Sequence, residues 1–437
     1  MRKITAKFGG SSLADASQFK KVAEIIKSDS ARRYIVASAP GKRFSADTKV
    51  TDLLYRCFDE AAWGKDYSAA FGEIKNRYEE IINGLGMNFS LRPDFDAIEK
   101  ELASKPSRDY MASRGEYLNS KLLAAYLGFE FIDPAECVFF DENGEFDAER
   151  TNRTLEVILE KTERAVIAGF YGSNPDGSIR TFSRGGSDLT GAIAARASMS
   201  DVYENWTDVS GVLMTDPRVV DDPKPIDYIS YSELREMSYM GASVMHEAAV
   251  FPVSKAGIPI NIRNTNDPSA PGTMIVPSLP KAMKLKHITG IAGSKGFSSI
   301  QVEKSMMNAE LGFGARLMNI LAEHGVSFEH CPTGIDTMSV LVESQYLAKD
   351  RDALLRAISD ELAPDMLFVE DGIALIAIVG HGMAYSPGIY ADILKAVADA
   401  GVDLRLIDLG SSKLNLIIGV GEEDYEKAVR AIYYSIG

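Results

Sequence analysis

An arginine beside two glycines, followed by Ser and Asp at the head of a small-residue helix, is a pattern that can hold an anion. It occurs as Ser183-Arg184-Gly185-Gly186-Ser187-Asp188-Leu189-Thr190. Free backbone N–H groups and the helix dipole favour a negative group at such a start. An arginine fork fits a carboxylate or a phosphate, and Asp188 is a carboxylate among donors, suited to a lysine or a metal. The plainer alternative is a helix N-cap with a flexible entry, because Gly, Ser and Asp are ordinary capping residues. A second pattern, Lys7-Phe8-Gly9-Gly10-Ser11-Ser12, sets a lysine at a strand end beside two glycines and two hydroxyls. There the backbone can approach phosphate oxygens closely, and Lys7 adds a mobile positive charge. It is neither a Walker A nor a G-x-G-x-x-G sequence, so taken alone it also fits a tight turn with a surface lysine. A third is Thr207-Asp208-Val209-Ser210-Gly211 with Thr215-Asp216-Pro217-Arg218. Thr51 and Glu116 lie in two further stretches, 48–54 and 112–117, and spacing alone favours reading them as an N-cap and a solvated helix charge.

These residues need elements to position them. Residues 4–8 read as a strand, a helix follows with Phe19, Val22, Ala23 and Ile26 at i, i+3, i+4, i+7, and 33–38 reads as a second strand. The opening is therefore a βαβ unit and implies a parallel sheet. From Val50 to about Leu127 the pattern is mostly helical, broken at Gly84-Leu85-Gly86 and Lys105-Pro106. Further strands are expected over 166–170, 201–206 and 259–263, with helices around 232–239 and 242–256 and a linker over 277–286. Polar residues at the carboxyl ends of such strands lie on the ligand-bearing edge of an α/β sheet. The C-terminal third repeats at an offset of 76 residues, as between Ile300 and Ile376, Gly312 and Gly388, Leu317 and Ile393, or Gly325 and Gly401. Each copy reads strand, helix, Gly, strand, turn, strand. Such a pair fits a ligand-sensing module, a duplicated dimerisation domain, or both.

Composition bounds the function. The chain has 437 residues, 46% hydrophobic and 25% charged, ordinary for a globular protein and long enough for two or three domains. A net charge of −15 argues against nucleic acid or an anionic membrane as the main partner. Cys57, Cys137 and Cys331 lie far apart without a C-x-x-C, so neither a disulfide framework nor a zinc site is supported. No apolar run is long enough to span a bilayer and the first residues lead straight into a strand, so a cytoplasmic location is expected.

In their order and spacing, Lys7 to Ser12, Arg184 to Asp188, and Thr207 to Arg218 resemble the motifs of aspartate kinases, and the resemblance extends to the tandem C-terminal repeat. It implies an α/β amino-acid-kinase fold, a mainly parallel sheet flanked by helices, over residues 1–280. Two α+β, ferredoxin-like ACT domains would follow, the first over 298–365 and the second over 287–297 plus 370–437, with strands at about 288–293 and 298–304. The implied activity is transfer of the γ-phosphoryl of ATP, with Mg²⁺, to the β-carboxylate of L-aspartate by a monofunctional enzyme. Lys7 and Asp188 then become the catalytic residues. Gly9, Gly10 and Ser11 form a phosphate cradle, and Thr207, Asp208, Asp216 and Arg218 lie on the nucleotide side. Thr51, Glu116, Phe170, Arg184 and Ser187 line the aspartate pocket. The ACT pair implies a homodimer and an amino-acid effector, lysine first and threonine second, with Met307, Ser327, Phe328, Glu329 and Asp336 as its contacts. The chain departs from the family pattern twice: Leu213 stands where many members have tyrosine, and Ser243 where many have lysine. Other amino-acid-kinase-fold activities, on glutamate, acetylglutamate or UMP, and a sensor without kinase activity remain the competing expectations.

Overall fold

The computed structural model describes residues 2–183, 185–242, 245, 247–279, 287–410 and 412–436. Arg184 and Ser243 lie outside the described residues. The chain divides into two compact units, and the division is not a single cut. The first comprises 1–212, 225–231 and 243–281; the second comprises 213–224, 232–242 and 282–437.

The first unit is built on an eight-stranded sheet. Its order is Glu130–Ile132, Ala165–Ala168, Arg32–Ala37, Ile4–Phe8, Val202–Thr207, Ile260–Asn264, Thr273–Val276 and Tyr228–Ser230. All neighbours run parallel except Ile260–Asn264 with Thr273–Val276, which are antiparallel. Central strands covered on both faces need continuous apolar runs, and Ile4–Phe8 is buried at every position, Lys7 included. The helix Ala16–Ser28 starts where Asp15 accepts from the N–H groups of Ser17 and Gln18. Its Phe19, Val22, Ala23 and Ile26 go into the core, and Phe8 stacks on Trp206 at 5.9 Å. The helical stretch after Val50 resolves into Val50–Ala62, Ser68–Leu85, Arg92–Ala103 and Arg108–Leu127. Beneath the sheet, Arg32 makes a bidentate pair with Glu204 at 2.7 and 3.2 Å, and Trp206 Nε1 donates to the same carboxylate at 2.8 Å.

The second unit holds a five-stranded antiparallel sheet in the order Thr337–Glu343, Gly290–Glu303, Met366–Val379, Asn415–Gly421, Leu404–Leu409. It carries the helices Phe313–Glu323, Arg351–Leu362, Ile389–Asp399 and Tyr425–Ile436. The sequence repeat is also a backbone repeat: Gly312 and Gly388 precede their helices at φ 81° and 91°, and Gly325 and Gly401 follow them at 68° and 67°. Left-handed positions of this kind favour glycine. The strands expected at 288–293 and 298–304 form one continuous strand, Gly290–Glu303, that bends through Gly296 at φ 96°. The helix expected over 242–256 is shorter, Glu247–Ala256.

Candidate functional site

The site forms at the carboxyl ends of the central parallel strands. Lys7 sits at the penultimate position of its strand, 8% exposed, and its Nζ reaches Asp188 Oδ1 at 2.6 Å. A lysine in an otherwise apolar strand keeps its charge only with a partner of this kind. The loop after it folds tightly. Gly41 N–H donates to Gly10 O at 2.8 Å, and Ser12 Oγ meets Thr265 Oγ1 at 2.7 Å. A Cβ on Gly10 would come 2.8 Å from Ala39 O, so the approach of the two loops requires glycine. Gly9 lies under the Lys7 ammonium, and Ser11 is exposed.

Asp188 is carried in the first turn of the helix Gly186–Ala197, which starts after Gly185 at φ 59°. This is the helix start whose N–H groups suit an anion. Asp188 O accepts from Tyr203 Oη at 3.0 Å, and its Oδ1 accepts from Asn205 Nδ2 at 3.1 Å. Ser187 is buried against Gly169, where a Cβ would stand 2.6 Å from Ser187 Oγ. Phe170 takes φ 82°, its N–H held by Thr190 Oγ1 at 3.0 Å, while Thr190 Oγ1 donates to Gly186 O at 2.9 Å. The strand expected over 166–170 therefore ends at Ala168, because Phe170 has left the extended region.

Glu116 is not a solvated helix charge. It lies in the helix Arg108–Leu127, 6% exposed, with Oε2 buried and unpartnered among the described residues. Burial pushes its pKa up to about 7, against a backbone hydrogen bond from Ala39 and the charge of Lys7. The neighbouring Asn119 Nδ2 donates to Ser38 O at 2.7 Å, fixing the helix on the loop after the second strand, and Tyr78 Oη of the helix Ser68–Leu85 donates to Gly115 O at 2.8 Å. Thr51 is not an N-cap either. Lys49 occupies that position without a side-chain bond, and Thr51 is the second helical residue, half-buried.

The nucleotide-side residues divide. Thr207 Oγ1 donates to Asp208 Oδ1 at 3.2 Å in the first unit. Asp216 and Arg218 belong to the second unit and pair with each other at 2.6 Å, which holds the Asp216 carboxyl below its ordinary range. Leu213, half-buried, is in that unit too. Of the residues expected to meet an effector, Met307 is buried and Ser327, Phe328 and Asp336 are exposed. Asp336 Oδ1 accepts from Met306 N–H at 2.9 Å, and Asp336 O from Lys304 N–H at 2.8 Å. Glu329 accepts from Tyr239 Oη beside a cavity of about 390 Å³ that Lys295 and Glu343 also line.

Tyr203 and Asn205 escaped the sequence reading, and Thr190 stood in the opening pattern without an assigned role. Each lies inside an element whose pattern is explained by packing alone, and the one available signal was the polar Asn205 in a strand beside Lys7.

The amino acid kinase family matches residues 2–264, and an ACT domain matches 376–435. Aspartokinase 3 of Bacillus subtilis is 38% identical over 98% of this chain and 97% of its own length. The chain belongs to the amino acid kinase family, among the aspartokinases. It is accordingly a kinase, a phosphotransferase with the two-part architecture of that family. The crystal structure of an aspartate kinase from Clostridium acetobutylicum, described as an allosteric enzyme, covers all of both chains at 47% identity and a TM-score of 0.91. Aspartokinase III of Escherichia coli in complex with aspartate and ADP covers both chains fully at 25% identity and a TM-score of 0.75.

Proposed function

We propose that this kinase transfers the γ-phosphoryl of ATP to the β-carboxylate of L-aspartate, giving 4-phospho-L-aspartate. The observation that carries the reading is the buried Lys7–Asp188 pair at 2.6 Å on the helix start Gly186–Ala197, with Glu116 buried within reach of the Lys7 charge. Phosphoryl transfer needs positioning and charge neutralisation more than covalent chemistry. Lys7 stabilises the transferring group, Asp188 orients Lys7, and Gly9, Gly10 and Ser11 cradle phosphate oxygens. Glu116 takes the substrate ammonium, Arg184 its α-carboxylate, and Thr51, Phe170 and Ser187 shape the pocket. Thr207, Asp208, Asp216 and Arg218 serve the nucleotide. Mg²⁺ would come with ATP, held largely by its phosphate oxygens and water.

We further propose feedback control by a pathway amino acid, lysine first and threonine second, in a cytoplasmic homodimer joined through its ACT domains. The relative named lysine-sensitive aspartokinase 3 of Escherichia coli, 27% identical over 99% of both chains, supports that choice. Met307, Ser327, Phe328, Glu329 and Asp336 are the contacts assigned to the effector.

Acyl phosphate trapped with hydroxylamine, measured on L-aspartate, L-glutamate and N-acetyl-L-glutamate with and without lysine or threonine, tests both parts. Turnover on aspartate alone, suppressed by lysine, is expected. Turnover on glutamate instead overturns the substrate, and indifference to both effectors reduces the C-terminal repeat to an assembly role.

A further inference from the structure

The Lys7–Asp188 pair has a third member. Asn205 stands opposite Lys7 in the parallel register of their strands and is 5% exposed. Its Nδ2 donates at 3.1 Å to the Asp188 Oδ1 that Lys7 also contacts. Charge fixes the orientation of the amide, because the opposite one would set its carbonyl oxygen against a carboxylate. Held this way, Asn205 Oδ1 is buried with no partner among the described residues. Glu116 Oε2 is a second buried acceptor in the same condition, and it too lies in the field of Lys7. A buried acceptor left without a donor is costly, and an apolar strand residue of similar volume at position 205 would avoid that cost. Both residues are tied to Lys7, one through Asp188 and one through its charge, and a ligand group that brings several donors would satisfy both acceptors. The phosphates of ATP carry acceptors, whereas an α-ammonium carries three N–H groups.

Resting on the aspartate kinase reading, we propose that Asn205 determines specificity for a free α-amino group. Its carbonyl oxygen accepts a hydrogen bond from the substrate ammonium that Glu116 neutralises, while its amide N–H holds Asp188 on Lys7. Sites built to hydrogen-bond a polar substrate group discriminate strongly against the analogue that lacks it.

The test compares wild type with Asn205→Leu, and with Asn205→Val should the leucine variant not fold, on L-aspartate and on succinate, which keeps both carboxylates and lacks the ammonium. The expected result is a roughly 10-fold higher KM for aspartate with the KM for ATP unchanged. The preference for aspartate over succinate in kcat/KM should fall by the same factor. Equal losses on aspartate and succinate, or an aspartate KM within twofold of wild type, overturn the proposal while leaving the kinase reading in place. A rise confined to the ATP KM would assign the oxygen to a metal-bound water and overturn it as well. If the wild type itself shows no turnover on aspartate, the reading beneath the proposal fails, and the proposal with it.

Discussion

Two residues with side chains hold a left-handed backbone, Phe170 at φ 82° in the candidate catalytic site and Met306 at φ 64° in the turn proposed to meet an effector. Each has its N–H taken by a side-chain oxygen, Thr190 Oγ1 at 3.0 Å and Asp336 Oδ1 at 2.9 Å. Their surroundings differ. Thr190 is fully buried, and Phe170 packs against Gly186, where a Cβ would come 2.5 Å from its ring. Met306 is 69% exposed and its anchor is an exposed carboxylate. In the first unit many contacts enforce the strain, as a site that must hold reacting groups still requires. In the second unit it rests on exposed bonds, from Met306 N–H to Asp336 and from Ser305 N–H to Asp365, as would suit the effector turn proposed above.

Charge removal at the rigid site should have the largest effect. Lys7→Ala is expected to lower kcat about 10³-fold, and turnover within a few-fold of wild type would sink the assigned role. Gly169→Ala drives a methyl into Ser187 at the fixed corner and is expected to lower kcat/KM for aspartate by about 10- to 100-fold, read from initial rates. A value near wild type would show that the corner yields and that the contrast with Met306 is overstated.

Glu116 sharpens the electrostatic side. With its pKa raised to about 7, it is protonated below that pH and a poor partner for an ammonium, so the aspartate KM should fall as pH rises through 7. Glu116→Gln should raise the KM and flatten its pH profile between about 6 and 8. Without ligand, the folded state binds this proton more tightly than the unfolded chain. Its contribution to stability is therefore lost as pH rises from the ordinary 4.5 towards 7, which denaturation midpoints across that window would detect. The smallest effect belongs to the exposed turn. Met306→Gly relieves the left-handed strain and should stabilise the second unit by up to about 1 kcal/mol in denaturant melts. Phe170→Gly should destabilise the first, because it removes a packed ring.

The parallel sheet was legible because its central strands alternate with an amphipathic helix and end in glycine-rich turns, and their ends lay within a residue or two of expectation. Glu130–Ile132, Tyr171–Ser173 and Tyr228–Ser230 were not, since three residues carry no periodicity. Lys7 and Asp188 announced themselves as charges beside glycines. Asn205 did not, because its meaning lies in a cross-strand neighbour that only the register supplies. The pairing of Asp216 with Arg218 was hidden for a related reason. Spacing marks two residues as polar neighbours without saying that they will satisfy each other.

The strands Gly290–Glu303 and Met366–Val379 run side by side from Gly290 opposite Val379 to Glu303 opposite Met366. Each serves both copies of the repeat, so the duplication left two halves that share their central beams. Neither half can be excised as a unit, swapped for a homologous one, or lengthened alone. An insertion of one residue in either strand would turn every following side chain to the opposite face unless a bulge absorbed it. The irregular pairing around Lys295, Phe297 and Ser299 is the place in the ladder where such an accommodation is already built in. Length changes inherited by one copy should therefore be tolerated there first.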